Sequence, residues 1–205
     1  MDYIKEILEK FKEDPFVYYI YQADWSIYGL NSDTKEYIVI IDDRCKLSDY
    51  ETNDGIFEIY YMHEWFKMVS DNNILCWIFS CIDKKYKVKE YVKLTIPLDI
   101  LKLRKNMLES LKYSNYSSYQ NLDDCLDSMY MDIITLDLTN QIIKNHKIIN
   151  LQNSSVHCKS LNNCDYDETL EKYNKIINNG LKELHESTDG LYTQDLINKS
   201  IKESF

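Results

Sequence analysis

Six consecutive residues, Glu36-Tyr37-Ile38-Val39-Ile40-Ile41, set the tightest limit on what this chain can become. Behind the leading acid the run is apolar without alternation and rich in β-branched side chains. A short run of that kind reads as a strand buried on both faces. It follows a polar turn, residues 24–35, that passes through Gly29 and carries Asp24, Ser32 and Asp33. A strand buried on both faces needs cover on both sides. With 4 glycines and 2 prolines in 205 residues, the chain is poor in the punctuation of a sandwich or barrel, so the cover is read as helical. That length supports one ordinary core or two small subdomains.

The rest of the chain can be read outward from this strand. Residues 2–13 place Ile4, Ile7, Leu8 and Phe11 at helical spacing, and Asp14-Pro15 ends that helix. Residues 16–21 read as a strand dense in aromatic and β-branched side chains, and residues 56–61 as another. Between strands, residues 42–54 are polar and read as a loop. A helix over 63–70 carries Trp65, Phe66 and Val69, and Asp71-Asn72-Asn73 breaks it. Residues 74–79 are a short apolar run whose period does not separate helix from strand. Pro97 marks a helix start, with Leu101, Leu108 and Leu111 as the buried positions of a helix over 98–112. Residues 114–119 read as a loop or cap. A stripe of Leu122, Leu126, Met129, Ile133 and Leu136 predicts the central helix of a bundle over 121–144. Residues 151–164 read as a polar connection. Residues 167–183 repeat the helical pattern through Leu170, Tyr173, Ile177, Leu181 and Leu184, and a weaker helix closes the chain over 193–201. The expected class is α+β: a small mixed sheet with helices over residues 1–82, then an all-helical bundle over 83–205.

Charge and cysteine usage exclude several classes of function. A net charge of -10 does not provide the basic footprint of a general nucleic-acid binder. No apolar run approaches the ~20 residues that span a bilayer, so no membrane association is expected. Residues 1–6 are acidic and amphipathic, unlike a signal peptide, and a cytoplasmic location is expected. The six cysteines form no C-x-x-C pair. His157-Cys158 with Cys164 lacks a fourth zinc ligand, so reduced and mostly buried thiols are expected. His63, His146, His157 and His185 are dispersed, with no adjacent nucleophile, and no Gly-rich phosphate loop exists. Tyr113, Tyr116 and Tyr119 have few cations among them and read as core or surface aromatics rather than base-stacking platforms.

One constellation carries possible chemistry. A turn leading into a strand that bears acids, beside a second strand bearing another, is how a two-metal phosphoryl-transfer site is assembled. Asp33, Glu36 and Glu58 are the residues that fit. Here Tyr28-Gly29-Leu30-Asn31-Ser32-Asp33 is similar to the Gly-Ser-x-Ala-Tyr-Gly turn, and the polar residues after it, of the polymerase-β type nucleotidyltransferase superfamily. The segment from Phe57-Glu58-Ile59-Tyr60 through Phe66 is similar to that family's third acidic strand and the helix after it. The chain resembles the predicted nucleotidyltransferases of bacteria and phages. Motif-level likeness is confined to residues 26–66.

The resemblance implies Mg2+ held by Asp33, Glu36 and Glu58, and a nucleotide contacted by Ser26, Gly29, Ser32 and Lys35. The departures are chemical. The family's Gly-Ser pair falls on Asp24-Trp25, which brings a bulky indole and a negative charge where phosphates would sit. Two metal ligands on one strand must be two residues apart. The family's Asp-x-Asp falls on Asp33 and Lys35 or on Thr34 and Glu36, so either register keeps one acid. In the first register Lys35 stands where the metal would, as a fixed cation. Asp33 and Glu36, three apart, point to opposite faces unless a bulge intervenes. Each acid also has a plain structural role open to it: Ser32 and Asp33 as turn residues, Glu36 as a solvated strand end, Glu58 on a half-exposed sheet. The expectation is a nucleotidyltransferase-like pseudoenzyme that binds a nucleotide or a protein partner. Two alternatives stay open: an active Mg-dependent enzyme that moves a nucleoside monophosphate from an NTP to a hydroxyl, and a structural domain without a ligand.

Overall fold

The structure, a computed structural model, describes residues 2–50, 52, 55–93, 95–112, 125–162 and 164–202. It is an α+β protein whose chain divides into two compact units, Met1–Asp99 and Ile100–Phe205.

The first unit is built on four strands: β1 (Val17–Gln22), β2 (Tyr37–Ile41), β3 (Phe57–Tyr61) and β4 (Lys87–Glu90). Their order across the sheet is β3-β2-β1-β4, with β2 and β3 parallel and the other pairs antiparallel. Every residue of β2 is buried, as its unbroken apolar run requires. One face is covered by α1 (Asp2–Glu13), whose Phe11 packs with Val17, Ile20, Tyr37, Val39, Ile41, Tyr50 and Phe57. On the other side, Tyr19 and Tyr21 stack on each other, and Tyr21 meets Trp65 of α2 (Met62–Ser70) and Phe79 of α3 (Ile74–Cys81).

A bulge explains how β1 serves both faces. Val17 pairs with Ile41 and Tyr19 with Ile40, so Tyr18 is an extra residue on β1. Val17 and Ile20, three apart, therefore share the α1 face. The tyrosines at 19 and 21 take the other.

The run over residues 74–79, whose period leaves helix and strand open, is helical, and Asn73 caps α3 with its side-chain oxygen on the Leu75 amide at 2.9 Å. Several sequence expectations are corrected. The chain past residue 83 is not all helix: β4 pairs with β1, so the first unit runs beyond residue 82. Lys89 of β4 is drawn to the end of α1, where its ammonium donates to the carbonyls of Asp14 at 2.6 Å and Phe11 at 3.5 Å.

The second unit consists of α4 (Ile100–Lys112), α5 (Leu126–Asn145), α6 (Ser155–Ser160) and α7 (Tyr166–Lys202). In α4 the buried residues are Leu103 and Met107, while Leu101 is 36% exposed. Leu101 lies two positions from Leu103, roughly 200° around the helix, so the expected stripe had the wrong phase. The connection expected over 151–164 contains α6. The two helices expected from residue 167 onward are one helix, α7. Leu122, Tyr113, Tyr116 and Tyr119 lie outside the described residues.

α5 is buried nearly all round, and α7 packs closely on it at Gly180. A Cβ there would stand 2.6 Å from Leu136 Cδ2, and the Gly180 carbonyl accepts from Asn140 Nδ2 at 3.0 Å. Among the described residues, no helix is long and apolar enough to cross a membrane.

Candidate functional site

The turn before β2 is closed by its own side chains. Asp24 is 2% exposed and caps a 3-10 turn at Trp25–Tyr28. Its carboxylate accepts from the Ser26 amide at 2.9 Å and from Gln22 Nε2 at 2.6 Å. Gln22 Nε2 also reaches Ser26 Oγ at 3.2 Å. Gly29 ends the turn at φ 76°, a left-handed conformation that glycine adopts without the penalty a Cβ brings. Ile27 and Tyr28 are buried beneath it, and burial pushes the Tyr28 phenol up. Beyond it Ser32 Oγ donates to the Thr34 carbonyl, while Asp33, Lys35 and Glu36 are exposed. The Glu36 carbonyl accepts from Ala23 N at 2.8 Å, which closes the mouth of the β1–β2 hairpin.

Glu58 sits on β3 opposite Ile38, is exposed, and accepts a hydrogen bond from the Tyr60 phenol. Burial and the Glu58 carboxylate together push the Tyr60 phenol up. Among the described residues, no three of His, Cys, Asp and Glu are gathered into a group that could hold a metal. The expected set of Asp33, Glu36 and Glu58 is therefore not assembled as a three-carboxylate Mg2+ site. The physical reason is local: Asp33 belongs to the turn, Glu36 to the residue before β2, and Glu58 is engaged by its strand neighbour Tyr60.

A second constellation lies at the carboxyl ends of the parallel pair β2 and β3, the end where open α/β sheets commonly place ligands. Asp42 follows β2 directly and is 8% exposed. Tyr18, re-aimed by the bulge, donates its phenol proton to Asp42 Oδ2 at 2.8 Å. Arg44 grips the same carboxylate from three sides: its amide at 2.9 Å, Nε at 2.7 Å and Nη2 at 2.8 Å. The Arg44 guanidinium, reinforced by its amide and by Tyr18, holds the Asp42 carboxyl well below the usual carboxylate range. The guanidinium carbon also lies 5.6 Å from the Phe16 ring centroid, within cation–π range.

Beside it, Asp43 Oδ1 accepts from the His63 amide at 3.0 Å and meets His63 Nδ1 at 2.8 Å. A carboxylate only accepts, so Nδ1 carries the proton and Nε2 is the ring nitrogen left for outside chemistry. The His63 ring stacks on Tyr61 at 5.8 Å. The His63 amide and then its ring lower the Asp43 carboxyl, which also satisfies an orphan donor at the start of α2. Two hollows flank this end of the sheet. One, of about 470 Å3, is lined by Phe16, Arg44, Cys45, Lys46, Asp49 and Tyr50. The other, of about 440 Å3, is lined by His63, Glu64, Lys67, Met68, Asp71 and Asn73.

Sequence reasoning places Asp42 and Asp43 in a loop and His63 among dispersed histidines. The fold joins them into a network with Tyr18 and Arg44. The available signal was the run Asp42-Asp43-Arg44 directly after a buried strand. What the arrangement can do is orient an imidazole and present a neutralised guanidinium–carboxylate pair. Fold and site thus define an α+β protein with an ordered polar cluster at its strand ends. No family model and no curated protein matches the chain.

Proposed function

We propose that this chain is a nucleotidyltransferase-like module that binds a nucleotide or a protein partner and does not transfer nucleotides. The observation that carries the reading is Asp24. It is buried and capping, and its carboxylate takes up the Ser26 amide in a turn where a phosphate would need such donors. Residues 24–36 hold Asp24, Asp33 and Glu36 against a single cation, Lys35, so a triphosphate would meet net negative charge there. That no carboxylate trio is gathered among the described residues supports the same reading, since Mg2+ takes six oxygens and holds triphosphate through shared carboxylates. Ser26, Gly29, Ser32 and Lys35 remain the residues proposed to contact a ligand at the turn.

The test pairs two measurements. Incubation with α-labelled ATP or GTP and Mg2+ is expected to leave no label on any hydroxyl acceptor. Label that appears with the wild type and disappears in Glu58→Ala would show an active transferase and overturn the reading. Thermal unfolding with Mg-ATP or Mg-GTP then separates ligands, because a ligand at 100 Kd stabilises by about 2.7 kcal/mol. A rise in Tm assigns a nucleotide, and an unchanged Tm removes the nucleotide from the reading.

A further inference from the structure

Arg44 is pinned along one edge of its guanidinium. Nε and Nη2 donate to the two oxygens of Asp42 at 2.7 Å and 2.8 Å, and the guanidinium carbon lies 5.6 Å from the Phe16 ring centroid. A guanidinium carries five N–H donors in one plane. Asp42 takes two, and among the described residues no acceptor meets the hydrogens of Nη1 or the second hydrogen of Nη2. The side chain is nevertheless 76% exposed. The outcome is a fork held in place from behind, with its Nη1–Nη2 edge left for an acceptor from outside. Its rotamer freedom is already spent in folding, so a ligand does not have to order it again.

This edge borders the hollow of about 470 Å3, whose other walls are Phe16, Cys45, Lys46, Asp49 and Tyr50. That volume lies in the range of sites for small organic ligands. The Tyr50 phenol is committed elsewhere: it donates to Asp14 Oδ2 at 2.9 Å and lies 3.5 Å from Cys45 Sγ. The polar groups left to a ligand are therefore the Arg44 edge, Lys46 and Asp49.

Charge decides which anion suits them. Asp42 offsets Arg44, and Asp49 offsets Lys46, so the hollow offers donors without surplus positive charge. A phosphate monoester, close to doubly charged at neutral pH, would stay largely uncompensated here. A carboxylate carries a single charge, and its two coplanar oxygens match two parallel N–H bonds from one guanidinium edge. The half-exposed Phe16 ring gives an apolar body a surface to rest on.

We propose that this hollow binds a small organic monocarboxylate, an apolar or aromatic body bearing one carboxylate, through the open edge of Arg44. The carboxylate accepts from Nη1 and Nη2, Lys46 supplies a further donor in the same hollow, and the body packs against Phe16. Asp42 is the positioning residue, because it fixes the plane in which the free edge lies. This site does not involve the turn at residues 24–36, so it stands whether or not that turn contacts a ligand.

Titration of the 15N-labelled full chain with phenylacetate at neutral pH, followed by amide chemical shifts, tests the assignment. The matched probes are 2-phenylethanol, which keeps the ring and lacks the carboxylate, and inorganic phosphate. Phenylacetate should shift the amides of residues 16 and 44–50 saturably with a Kd of about 1 mM, the scale for about ten non-hydrogen atoms. Each of the other two probes should bind about tenfold more weakly or not at all. R44K keeps the charge and loses the fork, so it should weaken phenylacetate about tenfold. D49N leaves Arg44 and Asp42 in place and removes the opposing charge, so it should tighten binding about threefold. Four results would overturn the proposal: no saturable shift at these residues, equal binding of 2-phenylethanol, tighter binding of phosphate, or an unchanged Kd in a folded R44K. Should R44K fail to fold, D49N decides alone, and binding no tighter than wild type rejects the site.

Discussion

Asp24 completes the turn before β2 from within the protein. Its carboxylate does the work of an N-cap, and its burial is tolerated because Ser26 N and Gln22 Nε2 both donate to it. Loss of such a cap typically costs about 1 kcal/mol. Asp24→Ala should therefore lower the unfolding free energy measured in urea by about that much, with a lower midpoint, and Asp24→Asn, which keeps an acceptor, should recover most of the loss. Equal midpoints for the two variants would show that the hydrogen bonds are not what holds the turn. The comparison also bears on function. A carboxylate already engaged by the Ser26 amide and the Gln22 side chain has fewer lone pairs to offer an outside cation.

At the level of elements, β4 shows why a four-residue polar strand matters more than its sequence advertises. Lys89 pairs opposite Ile20 and sends its ammonium to the carbonyl end of α1, on Asp14 O and Phe11 O. Burial lowers its pKa. A cation at the last turn of a helix contributes about 0.3–1 kcal/mol through the helix dipole, and more where it donates directly to carbonyls. K89M keeps the aliphatic stem and removes the donor, so it should destabilise the protein by about 1–2 kcal/mol in chemical denaturation. If K89M were neutral, packing of the stem alone would account for the residue. Legibility divides along the same line. β2 was legible because an unbroken apolar run needs no knowledge of its neighbours. β4 was not, since Lys-Val-Lys-Glu has neither hydrophobic period nor length and exists by pairing with a strand some seventy residues earlier. The bulge at Tyr18 hid the facing of β1 in the same way, and α4 was found with its stripe out of phase because Leu103 and Met107 are a weaker pattern than Leu101, Leu108 and Leu111 together. In the site, Asp43 and His63 are brought together across twenty residues of chain by the parallel crossover, which no local spacing encodes.

For the whole molecule, the lowered carboxyls fix how stability should respond to acid. Arg44 lowers Asp42, His63 lowers Asp43, and Lys172 lowers Glu168. A group whose pKa is lower in the native state binds fewer protons there than in the unfolded chain. Its contribution is fully present above the ordinary carboxylate range, about 4, and is lost as pH falls through the lowered value. From these groups, then, Tm should be flat near neutrality and fall progressively below about pH 4. The first unit can be followed separately, because Trp25, Trp65 and Trp77, all three tryptophans of the chain, lie within it. Asp42→Asn should make the acid dependence of the fluorescence transition shallower, and Arg44→Met should do the same by removing the main cause of the Asp42 shift. Glu168→Gln lies in the second unit, so its effect should appear in far-UV circular dichroism rather than as a direct change at the tryptophans. A wild-type acid slope in Asp42→Asn would mean that the network at the ends of β2 and β3 does not set the acid limit of this unit. The exposed Asp43–His63 pair would then be the next carboxylate to remove.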